Sequence, residues 1–74
     1  MTDTTYDPSA DAAYVYIGRG DVATTEEVAS GVIIDYDVEG RIIGIEFLSA
    51  SKILVPGDWM NARRPGSERA DAAE

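Results

Sequence analysis

Asp35, Asp37, Glu39, Gly40 and Glu46 fall at the first, third, fifth, sixth and last places of the window 35–46. Those are the places where a calcium loop carries oxygen ligands and its turning glycine. Such carboxylates converge on one ion only when the loop is wrapped between two helices. Gly31-Val-Ile-Ile-Asp35 is a poor helix, because glycine and β-branched residues dominate it. Glu at the fifth place is a further departure. The same residues also make a hairpin. Asp37-Val38-Glu39-Gly40 supplies Asp first and Gly last, as a four-residue turn ending in a left-handed residue requires. In the register this implies, Asp37 faces Arg41, Asp35 faces Ile43 and Ile33 faces Ile45. Tyr36 faces Ile42, Ile34 faces Gly44 and Val32 faces Glu46 on the other side. Glu46 then points away from Asp35 and Asp37, so hairpin and calcium site exclude one another. The hairpin is preferred. Asp35 and Asp37 remain the ligands of the alternative, a divalent-metal-binding or carboxylate-based catalytic domain.

Other chemistry has little to draw on. The chain has no His and no Cys, which removes the usual base near neutral pH and the usual nucleophilic pairs. Glu26, Glu27, Asp35, Asp37 and Glu46 remain, and a paired-carboxylate mechanism needs two of them in a cleft with one proton retained. Glu27 and Asp35 share a face if Val28–Gly31 turns as Asp37–Gly40 does. A domain this small offers little cleft, so no enzyme and no cofactor are expected. Asp7, Ser9 and Asp11 imitate the start of a second calcium loop, but Ala12 stands at its glycine place and Gly18 at its final ligand.

The elements that must hold these residues are short. Tyr6 ends a first strand, and Asp7-Pro8-Ser9-Ala10-Asp11 is a capped turn. Ala12–Ile17 is a strand with Tyr14 and Tyr16 on one side and Ala13, Val15 and Ile17 on the other. Gly18-Arg19-Gly20-Asp21 is a tight connection, and residues 22–28 make a solvated strand rich in Thr and Glu. Ala29-Ser30-Gly31 turns into the hairpin. Beyond Phe47 the period changes: Ser49 is a candidate N-cap for one or two helical turns, with Leu48, Ile53 and Leu54 against the sheet. Pro56 and Gly57 fit the centre of a type II turn, and Trp59 and Met60 fold back as an anchor. The expected fold is therefore mainly β: an antiparallel β-meander of four to five strands with a short C-terminal helix. Residues 1–60 form one domain, and 61–74, without apolar period, form a disordered tail.

Seventy-four residues without cysteine cannot staple a small core, so extra burial is expected from self-association or a partner. Residues 1–40 hold nine acids against Arg19 alone, which is the whole of the net charge of −8, while residues 41–74 balance. That half repels phosphate, so direct nucleic-acid binding is not expected, and a basic protein is the partner its charge would steer. Met1–Asp7 has neither a basic region nor an apolar run, and no stretch approaches a membrane span. The expectation is a soluble cytoplasmic protein without membrane contact.

In the register above, one hairpin face carries Ile33, Ile43, Ile45 and Phe47, and the other carries Val32, Ile34, Tyr36 and Ile42. A lone sheet hides one face and leaves the other polar. With both apolar, the C-terminal segment covers only part of one, so Val32, Ile34, Tyr36 and Ile42 are expected to form an interface with a second copy or a basic partner. The functional expectation is a small acidic protein-interaction module.

Tyr6-Asp7-Pro8-x-Ala10-Asp11-Ala12-x-Tyr14-Val15, then Glu27, then the run from Gly31 to Glu46, then Leu48-x-Ala50-Ser51 resembles an uncharacterised bacterial family, domain of unknown function 2283 (DUF2283). The resemblance covers about residues 6–52, and Gly31–Ser51 is its specific part. It implies a small β-meander with a short C-terminal helical element, and no activity. Members lie beside genes for small toxin-like proteins, which implies antitoxin-like pairing. Residues 53–74 go beyond the family pattern.

Overall fold

In the computed structural model, residues 3–66 are described. Five strands form one antiparallel sheet: β1 (Asp3–Asp7), β2 (Ala12–Tyr16), β3 (Thr24–Ala29), β4 (Val32–Tyr36) and β5 (Ile42–Leu48). A single-turn helix α1 (Ala50–Ile53) and a 3₁₀ turn at Asp58–Asn61 follow. The mainly β architecture is as expected. The strand order, which turn signals alone leave open, is β1-β2-β5-β4-β3. β1 and β2 pair as a hairpin, β3 to β5 form a meander, and β5 closes against β2 in the middle. Residues 17–23 carry the chain from β2 to the far edge.

The hairpin register is correct at its turn and wrong beyond it. The Asp37 N–H donates to the Arg41 carbonyl at 2.8 Å, and Tyr36 stands opposite Ile42. One residue further the ladder slips, so that Asp35 meets Gly44, Ile34 meets Ile45, Ile33 meets Glu46 and Val32 meets Phe47. Ile43 is the extra residue of a β-bulge. The pairings Asp35–Ile43, Ile33–Ile45, Ile34–Gly44 and Val32–Glu46 are thereby overturned. The cause lies outside the hairpin: the Ile43 carbonyl accepts N–H groups from both Ile17 and Gly18, at 2.7 and 3.1 Å. Both donors lie in the connection that follows β2, so this one acceptor ties that loop to β5.

A one-residue slip exchanges faces, and here it separates apolar from polar. One row on the first face is Val15, Ile45 and Ile34 with Thr4 and Glu26 at its two edges, and the next is Tyr6, Ala13, Phe47, Val32 and Ala29. On the second face the rows read Tyr16, Gly44, Asp35, Thr25 and Thr5, Tyr14, Glu46, Ile33, Glu27. The expectation of two apolar faces is overturned: Ile33 stands among polar neighbours, and Val32 and Ile34 join Ile45 and Phe47. Glu46 likewise shares its face with Asp35 instead of opposing it.

The turn into α1 has an unexpected cap. Ser49 holds the N-cap position in a left-handed conformation, φ 54°, and makes no side-chain cap. Asp11, itself at φ 53°, caps from the β1–β2 turn. Its carbonyl accepts the Ala50 N–H at 2.8 Å, and its carboxylate accepts the Ser51 N–H at 3.1 Å and the Ser51 hydroxyl at 2.6 Å. The Tyr6 hydroxyl donates to the same carboxylate at 2.7 Å. Gly57 is extended (φ −177°), so the expected type II turn, which needs positive φ there, is absent. Trp59 folds back as expected, its ring edge-on to Tyr6 at 4.9 Å.

Residues 61–66, read as tail from their composition, run beside β1. Arg63 forms a parallel bridge with Thr5, accepts the Tyr6 N–H on its carbonyl at 2.9 Å, and holds Asp3 with both guanidinium arms, Nη1 at 2.6 Å. Backbone pairing and an ion pair fix this segment, and neither leaves an apolar period to read. The remainder of the expected tail, residues 67–74, lies outside the described residues. The outer edge of β1 is thus covered. β3, the opposite edge, has all six residues exposed.

Candidate functional site

The apolar face is a single layer with partial cover. Among the described residues, only Ala13, Ile43 and Ala50 are fully buried apolar side chains. The Trp59 turn lies over Tyr6 at one end of this face, and the connection between β2 and β3 passes close to Ile43, where a Cβ on Gly20 would sit 3.8 Å from its Cδ1. Between them Val15, Val32, Ile34, Ile45 and Phe47 are half-buried. Of the four residues expected at an interface, Val32 and Ile34 lie in this patch. Tyr36 and Ile42 pair with each other at the bulge, and Ile42 is 43% exposed.

The polar face is organised around Gly44. Tyr14 on β2 and Asp35 on β4 are separated by β5; Gly44 stands in register with Tyr16 and Asp35, and Tyr14 reaches Asp35 diagonally over it. With no side chain there, the Tyr14 ring lies across β5 and its hydroxyl donates to Asp35 Oδ2 at 2.5 Å. Thr25 on β3 donates to Oδ1 at 2.7 Å. Burial first, and then the bond to Asp35, push the Tyr14 phenol pKa upward. Tyr16 packs beside Tyr14, with ring centres 4.6 Å apart. Beside these rings an open groove of about 390 Å³ is lined by Thr5, Asp7, Ala12, Tyr14, Tyr16, Glu46, Leu48 and Pro65 among others.

Asp35 and Asp37, the carboxylates of the metal or catalytic alternative, are both engaged by protein donors. Asp37 Oδ1 accepts the N–H groups of Glu39 and Arg41 at 2.9 and 2.8 Å, and Oδ2 meets Arg41 Nε at 3.0 Å. The Arg41 N–H, above all, holds the Asp37 carboxyl below its usual range. Glu27 shares the face of Asp35 but accepts the Gly31 N–H at 3.1 Å, closing its own turn. Among the described residues, no group of three or more Asp or Glu side chains is placed to hold a metal ion.

Sequence spacing does not single out Tyr14 or Gly44; it offers Glu46 only as a calcium ligand or catalytic carboxylate, and Asp11 only in an imitation of a calcium loop. Tyr14 and Tyr16 alternate onto one side as read, but nothing local indicates that Gly44 clears the way to Asp35.

A lone five-stranded antiparallel sheet, capped at one end by a helical turn tied to an Asp, defines a class of small β domains. The family model described as "Protein of unknown function (DUF2283)" matches residues 3–51, and the chain belongs to that family. No curated protein and no solved structure matches the chain. Among the described residues, no helix is long and apolar enough to cross a membrane.

Proposed function

We propose that this protein is a small acidic protein-interaction module whose apolar sheet face is completed by another protein, either a second copy of the chain or a basic partner. One observation carries this reading. Val15, Val32, Ile34, Ile45 and Phe47 stand together on one side of a single-layer sheet, half-buried, with no second layer above them among the described residues. Contiguous apolar surface of that kind marks an interaction site in a soluble domain. A second sheet packed about 10 Å away would complete the sandwich. The net charge of −8 favours a basic partner, which it would attract over distance. Pairing with a small toxin-like protein, implied by the family resemblance, is the antitoxin form of the same proposal.

The test is the solution mass by light scattering across a wide concentration range, for the native chain and for Ile34→Glu. Ile34 lies mid-patch, on the central side of β4. The proposal expects a native dimer that Ile34→Glu converts to a folded monomer, or a native monomer that captures a basic protein only when Ile34 is intact. A monomer whose captured partners are indifferent to Ile34→Glu, with the sheet still folded by circular dichroism, would sink it.

A further inference from the structure

The groove on the polar face holds a carboxylate that no described residue engages. Glu46 is half-buried between Tyr14 on β2 and Ile33 on β4, and among the described residues it has no hydrogen bond or ion pair. A carboxylate drawn partly out of water gains from a cation, and none of the described residues supplies one. Its surroundings are specific. Tyr14 is immobilised by its bond to Asp35 and by Tyr16 against its flank, so the two rings form a fixed aromatic wall. Leu48 and Ala12 give the groove apolar lining, and Asp7, which Ser9 engages and Arg64 faces, lines it too.

We propose that this groove binds the guanidinium of an arginine presented on a peptide chain. A planar guanidinium stacks on an aromatic face while its N–H groups fork onto a carboxylate. Tyr14 or Tyr16 supplies the face, Glu46 the fork, and Leu48 the surface for the methylene stem. A lysine ammonium offers the charge without the plane, and is the weaker ligand. Free arginine is disfavoured as well. Its own carboxylate would enter the groove beside Glu46, and a peptide-linked arginine lacks that group. This site lies on the face opposite Ile34, so it does not depend on the apolar interface and is tested apart from it.

The experiment is a titration of the ¹⁵N-labelled protein with N-acetyl-arginine-methylamide, followed by amide shifts. N-acetyl-lysine-methylamide and free L-arginine are run in parallel. Saturable shifts at Tyr14, Tyr16, Glu46 and Leu48 are expected, weakened about tenfold by Glu46→Gln and severalfold by Tyr16→Leu. Glu46→Gln keeps the side-chain shape and removes no bond of the fold, so a preserved spectrum identifies it as folded. Shifts that never saturate, or that persist unchanged in Glu46→Gln, would reduce the effect to general attraction by an acidic surface and overturn the site. Equal affinity for lysine would overturn the guanidinium, and equal affinity for free arginine would overturn the peptide source.

Discussion

Tyr14 and Asp35 sit on strands that do not touch, and their 2.5 Å hydrogen bond passes over the bare backbone of Gly44. Three strands are tied together by one phenol. The tie exists only because the middle strand lacks a side chain at that point.

Gly44→Ala should therefore be costly although the change is one methyl group. Its Cβ would lie 2.6 Å from both Cε1 and Cζ of Tyr14 and closer still to the hydroxyl. The ring must leave, and Asp35 loses a donor. Overpacking of this kind costs about 1–3 kcal/mol, measurable as a lower midpoint in urea. In a Tyr14→Ala background the same substitution should cost far less, because the three nearest clashing atoms have gone. Equal losses in both backgrounds would show that Tyr14 is not the obstacle.

Stability should fall on the alkaline side in a way that depends on Tyr14. Burial first, and then Asp35, raise the folded-state phenol above its ordinary 10.0. A raised value means that the folded state holds the proton more tightly than the unfolded state. The resulting stabilisation is complete below the unfolded value and is lost as pH rises through the folded one. Melting curves taken from neutral pH upward should show the native protein losing its advantage over Tyr14→Phe. An advantage that grows with pH would contradict the sign.

Asp11 sets the acid side. The Ser51 hydroxyl first, and then Tyr6, hold its carboxyl below the usual range. The stabilisation is present above the ordinary carboxylate value and disappears as pH falls through the folded one. Asp11→Asn keeps a residue tolerant of φ 53° but removes the charge, whereas Asp11→Ala loses the acceptor and strains the backbone. Midpoints should fall in the order native, Asn, Ala, by several degrees at each step. Acid sensitivity should flatten in both variants. Asp11→Ala melting with the native protein would remove the cap from the account of this fold.

What was legible in the chain was local. Asp37 and Gly40 mark their turn because both demands, an acceptor and a left-handed residue, are met within four positions. Alternation placed Tyr14 and Tyr16 together for the same reason. The failures are non-local. Ser49 looks like a cap, but the capping carboxylate comes from Asp11, forty positions before the Ser51 it holds. The bulge at Ile43 answers to Ile17 and Gly18 in the connection after β2. Arg63 reaches Asp3 from the far end of the described chain. Of the candidate site, alternation along β4 put Val32 and Ile34 on one face, and that much is local. That Ile45 and Phe47 join them was not legible, because face membership on β5 depends on a register the hairpin does not determine by itself.

The two margins of the sheet are not alike. Among the described residues, Arg63 pairs with the β1 margin at Thr5 and Tyr6, while the β3 margin, with Glu26 and Glu27 on it, stays open. An unpaired margin is where strands add and fibres begin. An approaching strand therefore finds open hydrogen-bonding groups along β3 and occupied ones beside Thr5 and Tyr6 on β1. The short segment around Arg63 thus shields an edge as well as supporting the fold.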